Sequence, residues 1–197
     1  MPRAYTKRQR ADSEAATRAR IVEATMSLHE ELGPRRTTIS AIAERAGVQR
    51  LTVYRHFPDE TALFQACTSC WLERNPPPSP PAADSADSAD SAEAPETRCE
   101  ALLTALYGYF RRTRGMWTVS FRDEAVTPAV QEPMAQFRAY LAGLADELEA
   151  AFGAPSRLRR AALGHVVMFS TWADLAEQGL DDPTMAHLAT TWVLASS

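Results

Sequence analysis

The chain has 197 residues, 45% of them hydrophobic, with 8 glycines and a formal net charge of −4. That length holds one large or two small domains with ample core, and sparse glycine with little clustering of β-branched residues points to an all-α fold. No apolar run approaches the roughly 18 residues that a membrane span needs, and no apolar signal core opens the chain, so the expected location is cytoplasmic.

The charge is unevenly spread. Residues 1–57 hold 11 Lys and Arg against 6 Asp and Glu, net +5, and the remainder hold 10 against 19, net −9. A basic head on an acidic body suits a protein that meets phosphates with one end only.

The first dozen residues, MPRAYTKRQRAD, are basic and aperiodic, and read as a disordered arm over 1–12. A helix is expected from Ser13 and Glu14, with Ile21, Ala24, Thr25, Leu28 and Leu32 as its apolar stripe and Gly33-Pro34 as its end. The stretch TTISAIAERAGVQRLTVYRHF (37–57) then reads as two short helices joined at a sharp turn. Ile39, Ile42, Ala43 and Ala46 fall at i, i+3, i+4 and i+7, Thr38 stands where a hydroxyl can cap, and Gly47 follows where a left-handed residue is wanted. Val48 plugs the turn, and Val53 and Phe57 point inward from the second helix. Its outward face carries Gln49, Arg50, Leu51, Thr52, Tyr54, Arg55 and His56, with no acid among them. A short helix presented this way is a helix-turn-helix reading head.

GVQRLTVYRHFPDETAL resembles the recognition helix and following segment of TetR-type transcriptional regulators, whose pattern is close to GV-x-x-x-T-[LV]-Y-x-H-F-x-x-K-x-x-L. Gly47, Val48, Thr52, Val53, Tyr54, His56, Phe57 and Leu63 match in order and spacing, as do Thr38, Ile42, Ala43 and Ala46. The resemblance covers residues 14–72 and, more weakly, the helical remainder. Leu51 stands where the family usually has a small residue. Asp59-Glu60-Thr61 stands where the family commonly has a phosphate-gripping lysine. The resemblance implies double-stranded operator DNA as partner, a homodimer through the last two helices and a small-molecule effector bound in the body. By position, Arg50 and Leu51 address base edges, with Ser40 and Tyr54 near the groove wall. Thr38, Gln49, Thr52, Arg55 and His56 address phosphates.

A fourth helix begins near Pro58–Asp59, with Leu63, Cys67, Cys70 and Trp71 as its stripe. Cys67-x-x-Cys70 lacks the second Cys/His pair of a structural zinc site, so the two read as small apolar residues on an inner face, with redox sensing as the alternative. No metal or cofactor is expected. The DNA-binding domain is thus placed at 13–73. Residues 74–97 contain a proline cluster and ADS three times over, read as a disordered linker because nothing in it can offset the entropy of ordering.

The body is placed at 98–197. Its first helix carries Cys99, Leu102, Leu103, Leu106 and Phe110 and is expected to close at Gly115, followed by a short helix MWTVSFRDEAV and a long one from Pro128 to Phe152. Ser156 caps a single helix running to Leu180, and Asp181-Asp182-Pro183 starts the last, with Met185, Leu188, Trp192 and Ala195 on one stripe. The last two helices are greasy on two sides, the mark of an association surface. Tyr107, Phe110, Met116, Trp117, Phe121, Phe137, Tyr140, Met168, Phe169 and Trp172 supply large side chains for an effector pocket, with Arg122 or His165 as polar anchor. The alternative is that they simply fill the core. No glycine-rich phosphate loop, HExxH pair or GxSxG elbow appears, so no catalytic residues are assigned. The expected function is a ligand-responsive DNA-binding regulator, more a repressor than an activator, released from a palindromic operator by an apolar or aromatic effector. A helical-bundle enzyme and a ligand-independent DNA-binding structural protein are the alternatives.

Overall fold

In the computed structural model, residues 2–79 and 94–196 are described, the side chains only from residue 8 onward. Nine α-helices and two short 3-10 turns account for the regular structure among them, and no strand occurs there. The chain forms two compact units, Met1–Pro76 with Thr118–Met134, and Pro77–Trp117 with Ala135–Ser197. The sequence placed 118–134 in the body. The contacts place them with the first unit, where the clasp described below ties them. Most of the linker reading falls on residues 80–93, outside the described residues.

In the first unit, α1 spans Pro2–Leu32. Its start corrects the disordered arm read over 1–12. Proline suits a first helical position, and Ala, Arg, Lys and Gln that follow are strong helix formers. Residues 8–20 are exposed apart from half-buried Thr17, so propensity rather than packing carries this part of the helix. From Ile21 onward α1 is buried through Val22, Ala24, Thr25, Met26 and Leu28 and serves as the unit's spine. A 3-10 turn, Pro34–Arg36, leads to α2 (Ile39–Ala46), α3 (Arg50–His56) and α4 (Glu60–Arg74). Arg45 of α2 makes a two-pronged pair with Glu31 at 2.7 and 2.8 Å, and Arg74 of α4 pairs with Glu23 at 2.6 Å. Trp71 Nε1 donates to Glu30 at 3.2 Å. All three contacts fasten neighbours to α1.

Helix α5 (Pro95–Asp123), whose residues to Trp117 belong to the second unit and whose last turns belong to the first, runs straight through Gly115, where the sequence suggested a break. A helical glycine costs only about 1 kcal/mol, and Met116, Trp117 and Val119 just beyond it are all buried, so packing outweighs propensity. A 3-10 turn, Glu124–Val126, precedes α6 (Pro128–Ala151). The single helix read from Ser156 to Leu180 is two: α7 (Arg157–Val166) and α8 (Phe169–Glu177). Met168 between them is extended at φ −78°, ψ 142°. The carbonyls freed by the break find donors, Tyr107 Oη to Val166 O at 2.8 Å and Thr171 Oγ1 to His165 O at 2.7 Å, which is what makes it affordable. Helix α9 (Asp182–Leu194) is capped by Asp181, whose side chain accepts from Thr184 N at 2.9 Å. Arg111 of α5 grips Asp182 at 2.9 Å and lies over Trp172. Arg159 and Glu149, both largely buried, pair at 3.0 Å and join α7 to α6.

Candidate nucleic-acid interface

The geometry of α2 and α3 follows from residues at their ends. Thr38 is extended and its hydroxyl accepts from Ala41 N at 3.2 Å, a cap worth about 1 kcal/mol. That hydroxyl keeps its own proton to donate. Gly47 sits at φ 64°, ψ 40°, a left-handed conformation that only glycine adopts without strain. Its N–H reaches Glu44 O at 3.1 Å and Val48 N reaches Ala43 O at 2.9 Å, closing α2. The chain then turns sharply, and Gln49 opens α3 without spending its side chain on the cap.

Packing fixes which way α3 faces. Val53 and Phe57 are 1% and 2% exposed, against Leu51 at 76% and Tyr54 at 42%. Thr38, Ser40, Gln49, Arg50 and Arg55 are also exposed, and Thr52 and His56 are half-buried. All nine sequence-derived contact residues therefore lie at the surface of one small unit, around a buried hinge of Ile39, Ile42, Ala43, Ala46 and Val53. The departure noted at the head of α4 is real in structure. Asp59 Oδ1 accepts from Ala62 N at 2.8 Å and Glu60 is exposed, so that turn presents acids.

A clasp invisible in sequence holds the turn before α2. Arg122 Nη2 donates to Leu32 O at 2.9 Å, the same guanidinium grips Asp123 at 2.7 Å, and Arg35 N donates to Asp123 Oδ2 at 3.1 Å. Asp123 is 3% exposed. The Arg122 guanidinium and then the Arg35 N–H hold its carboxyl below the usual carboxylate range. Arg122, one of the two anchor candidates, thus bonds within the first unit, and half-buried Phe121 is counted in that unit too. Beneath the clasp, His29 is 6% exposed, 3.7 Å from Cys67 Sγ. Burial pushes its pKa down to about 4, with the Asp123 charge partly opposing. Burial likewise pushes the Cys67 thiol up to about 12, far from the thiolate that redox chemistry requires.

In the second unit the remaining large side chains do converge. Phe110 meets Phe137, Phe169 and Trp172 at ring distances of 6.2, 5.4 and 5.9 Å. Trp117 stacks on Phe137 at 3.7 Å, and Phe137 on Tyr140 at 5.9 Å. Tyr107 is wholly buried, Met116 buried and Met168 half-buried. The sequence missed Tyr109, 1% exposed and 6.3 Å from Trp117. It falls at i+7 from Leu102 and i+3 from Leu106, on the same face of the helix, so the helical period was the signal that could have found it. His165, the second anchor candidate, is exposed on the last turn of α7. Tyr140 Oη donates to Pro78 O at 2.6 Å. Burial holds the phenols of Tyr107, Tyr109 and Tyr140 above their ordinary range.

Residues 21–67 match the family model described as bacterial regulatory proteins, tetR family. No curated protein is significantly similar to the chain. Among solved structures, a TetR-like transcriptional regulator from Rhodococcus sp. RHA1 is 19% identical, with 93% of this chain and 98% of that one covered at a TM-score of 0.62. The regulator FadR from Bacillus subtilis, solved with stearoyl-CoA, is 16% identical over 91% and 98% of the two chains, TM-score 0.55. The fatty acid degradation regulator FadR from Bacillus halodurans is 15% identical over 90% and 94%, TM-score 0.54. At these identities the structures establish the shared fold.

Proposed function

We propose that this TetR-type transcriptional regulator binds a palindromic operator as a homodimer and is released from it by a small apolar or aromatic effector. The observation that carries the DNA-binding part is the acid-free, exposed face of α3 standing on the Gly47 turn, with Arg50, Leu51, Tyr54 and Arg55 all presented outward. Arg50 has the planar fork that fits guanine, and exposed Leu51 fits a thymine methyl.

The dimer rests on α9. It buries Met185, Ala186, Ala189, Thr190 and Val193 inside its own unit, yet leaves Trp192 38% exposed beside half-buried Leu188 and exposed Ala195. An apolar stripe at i, i+4 and i+7 on the second side of a buried helix is what a two-fold helix pair covers.

The aromatic cluster around Phe110, Trp117 and Phe137 is where an effector binds. The stearoyl-CoA held by the Bacillus subtilis relative makes long acyl groups the first class to try. DNA selected from a random pool should yield a palindrome with half-sites about one helical turn, ~34 Å, apart. Titrating acyl-CoA and aromatic acids should then quench tryptophan and weaken operator binding together. Quenching without any change in operator affinity would reduce the protein to a DNA-binding dimer.

A further inference from the structure

The arginines of the first unit divide into two groups. Arg45, Arg74 and Arg122 each face a carboxylate, at 2.7, 2.6 and 2.7 Å. Arg18 does not. It is exposed and pairs with no carboxylate among the described residues, and its guanidinium carbon lies 4.6 Å above the centroid of the Phe57 ring. Phe57 is itself buried and ends α3, its N–H bonded to Val53 O at 2.9 Å. Arg18 therefore reaches from α1 to the joint between α3 and α4.

On its α4 side that joint carries acids and no cation. Pro58, Asp59 and Glu60 follow Phe57, all three exposed. Asp59 fills the Ala62 N–H, so the opening of α4 meets a nearby phosphate with two carboxylates. A DNA strand leaving Arg55 and His56 in the last turn of α3 would meet those acids next.

We propose that Arg18, seated on Phe57, is a further phosphate contact at this end of the reading helix, supplied from α1 where the opening of α4 presents acids. The inference rests on the reading of α3 as a DNA-recognition helix. The ring attracts the guanidinium without using its N–H donors, and no carboxylate among the described residues takes them. Those donors form a rigid fork that matches two phosphate oxygens. The aromatic seat also restrains a long side chain before DNA arrives, which lowers the ordering cost of the contact.

The test uses the full-length chain and the duplex it enriches from random DNA, with affinity measured across a salt series. Arg18→Met keeps the stem on Phe57 and removes the charge. It should flatten the slope of log affinity against log salt by about 0.9, the share of one phosphate. By the same relation the loss is about fivefold at 0.15 M salt relative to 1 M. The melting temperature should hold. Adding Glu60→Lys to Arg18→Met should restore the slope by returning a cation to the joint. An unchanged slope in Arg18→Met overturns the assignment, whether or not affinity falls, because a packing role does not release counterions. Should Arg18→Met melt early, Arg18→Lys, which keeps the charge, decides: a wild-type slope supports the phosphate role and a flattened one overturns it. A wild-type chain that enriches no duplex overturns the DNA-binding reading itself, and Arg18 with it.

Discussion

Gly33→Ala is the substitution that most directly probes how the reading head is held. Gly33 stands at φ 88°, ψ 157°, a region that residues with a β-carbon enter at a cost of roughly 1–3 kcal/mol. A β-carbon there would lie 2.1 Å from Arg122 Nη2 and 2.4 Å from Asp123 Oδ2. The two neighbours differ in freedom. The Arg122 side chain is 52% exposed and can swing into water, while that of Asp123 is 4% exposed and cannot. Moving Arg122 strips the charged donor from Leu32 O, and since water replaces it the loss is about 1 kcal/mol. The sum is a destabilisation of roughly 2–4 kcal/mol. Urea unfolding at pH 7 reads it. The damage should also reach DNA affinity, because the Gly33 carbonyl accepts from Arg36 N at 3.2 Å and from Thr37 Oγ1 at 2.9 Å, next to the cap of α2. Arg122→Ala alone should cost less. Combined with Gly33→Ala it should cost less than the two separately, since one clash has been removed. A Gly33→Ala protein within 0.5 kcal/mol of wild type, or strict additivity with Arg122→Ala, would refute the clasp as the constraint on this turn.

The other expectations are more direct. Arg50→Ala should cost roughly 1–3 kcal/mol of operator affinity and relax preference at one base pair; a uniform loss over all sequences would make Arg50 a backbone contact. Trp192→Glu should give monomers in sedimentation and weak operator binding, and an unchanged mass would place the interface elsewhere. His29 gives a pH signature: its folded pKa of about 4 lies below the ordinary ~6.5, so the unfolded chain takes up the proton first as pH falls. Stability is full above about pH 6.5 and drops by about 3 kcal/mol on the way to pH 4. His29→Gln should flatten that part of the urea-derived stability curve, and parallel curves would show that His29 is not the group responsible.

The sequence by itself determined the reading head. Thr38, the Ile39–Ile42–Ala43–Ala46 periodicity, Gly47 and the acid-free run to His56 are local signals, set by backbone geometry within one or two turns, and the structure places each as its chemistry requires. The capped starts at Ser156 and Asp181 were legible for the same reason. What only the tertiary structure decided is where local preference was weak or distant partners overrode it. Gly115 reads as a stop, yet buried neighbours carry α5 past it. Val166 to Met168 read as helix, yet the Tyr107 hydroxyl, 59 residues away, donates to the Val166 carbonyl and the helix divides. Arg122 reads as a pocket anchor, yet a carbonyl 90 residues earlier takes it. Arg18 carries no signal in the sequence, since only the fold brings Phe57 beneath it. Periodicity reports which face of a helix is buried, but a partner far along the chain leaves no trace in spacing, and only the folded structure brings it into reach.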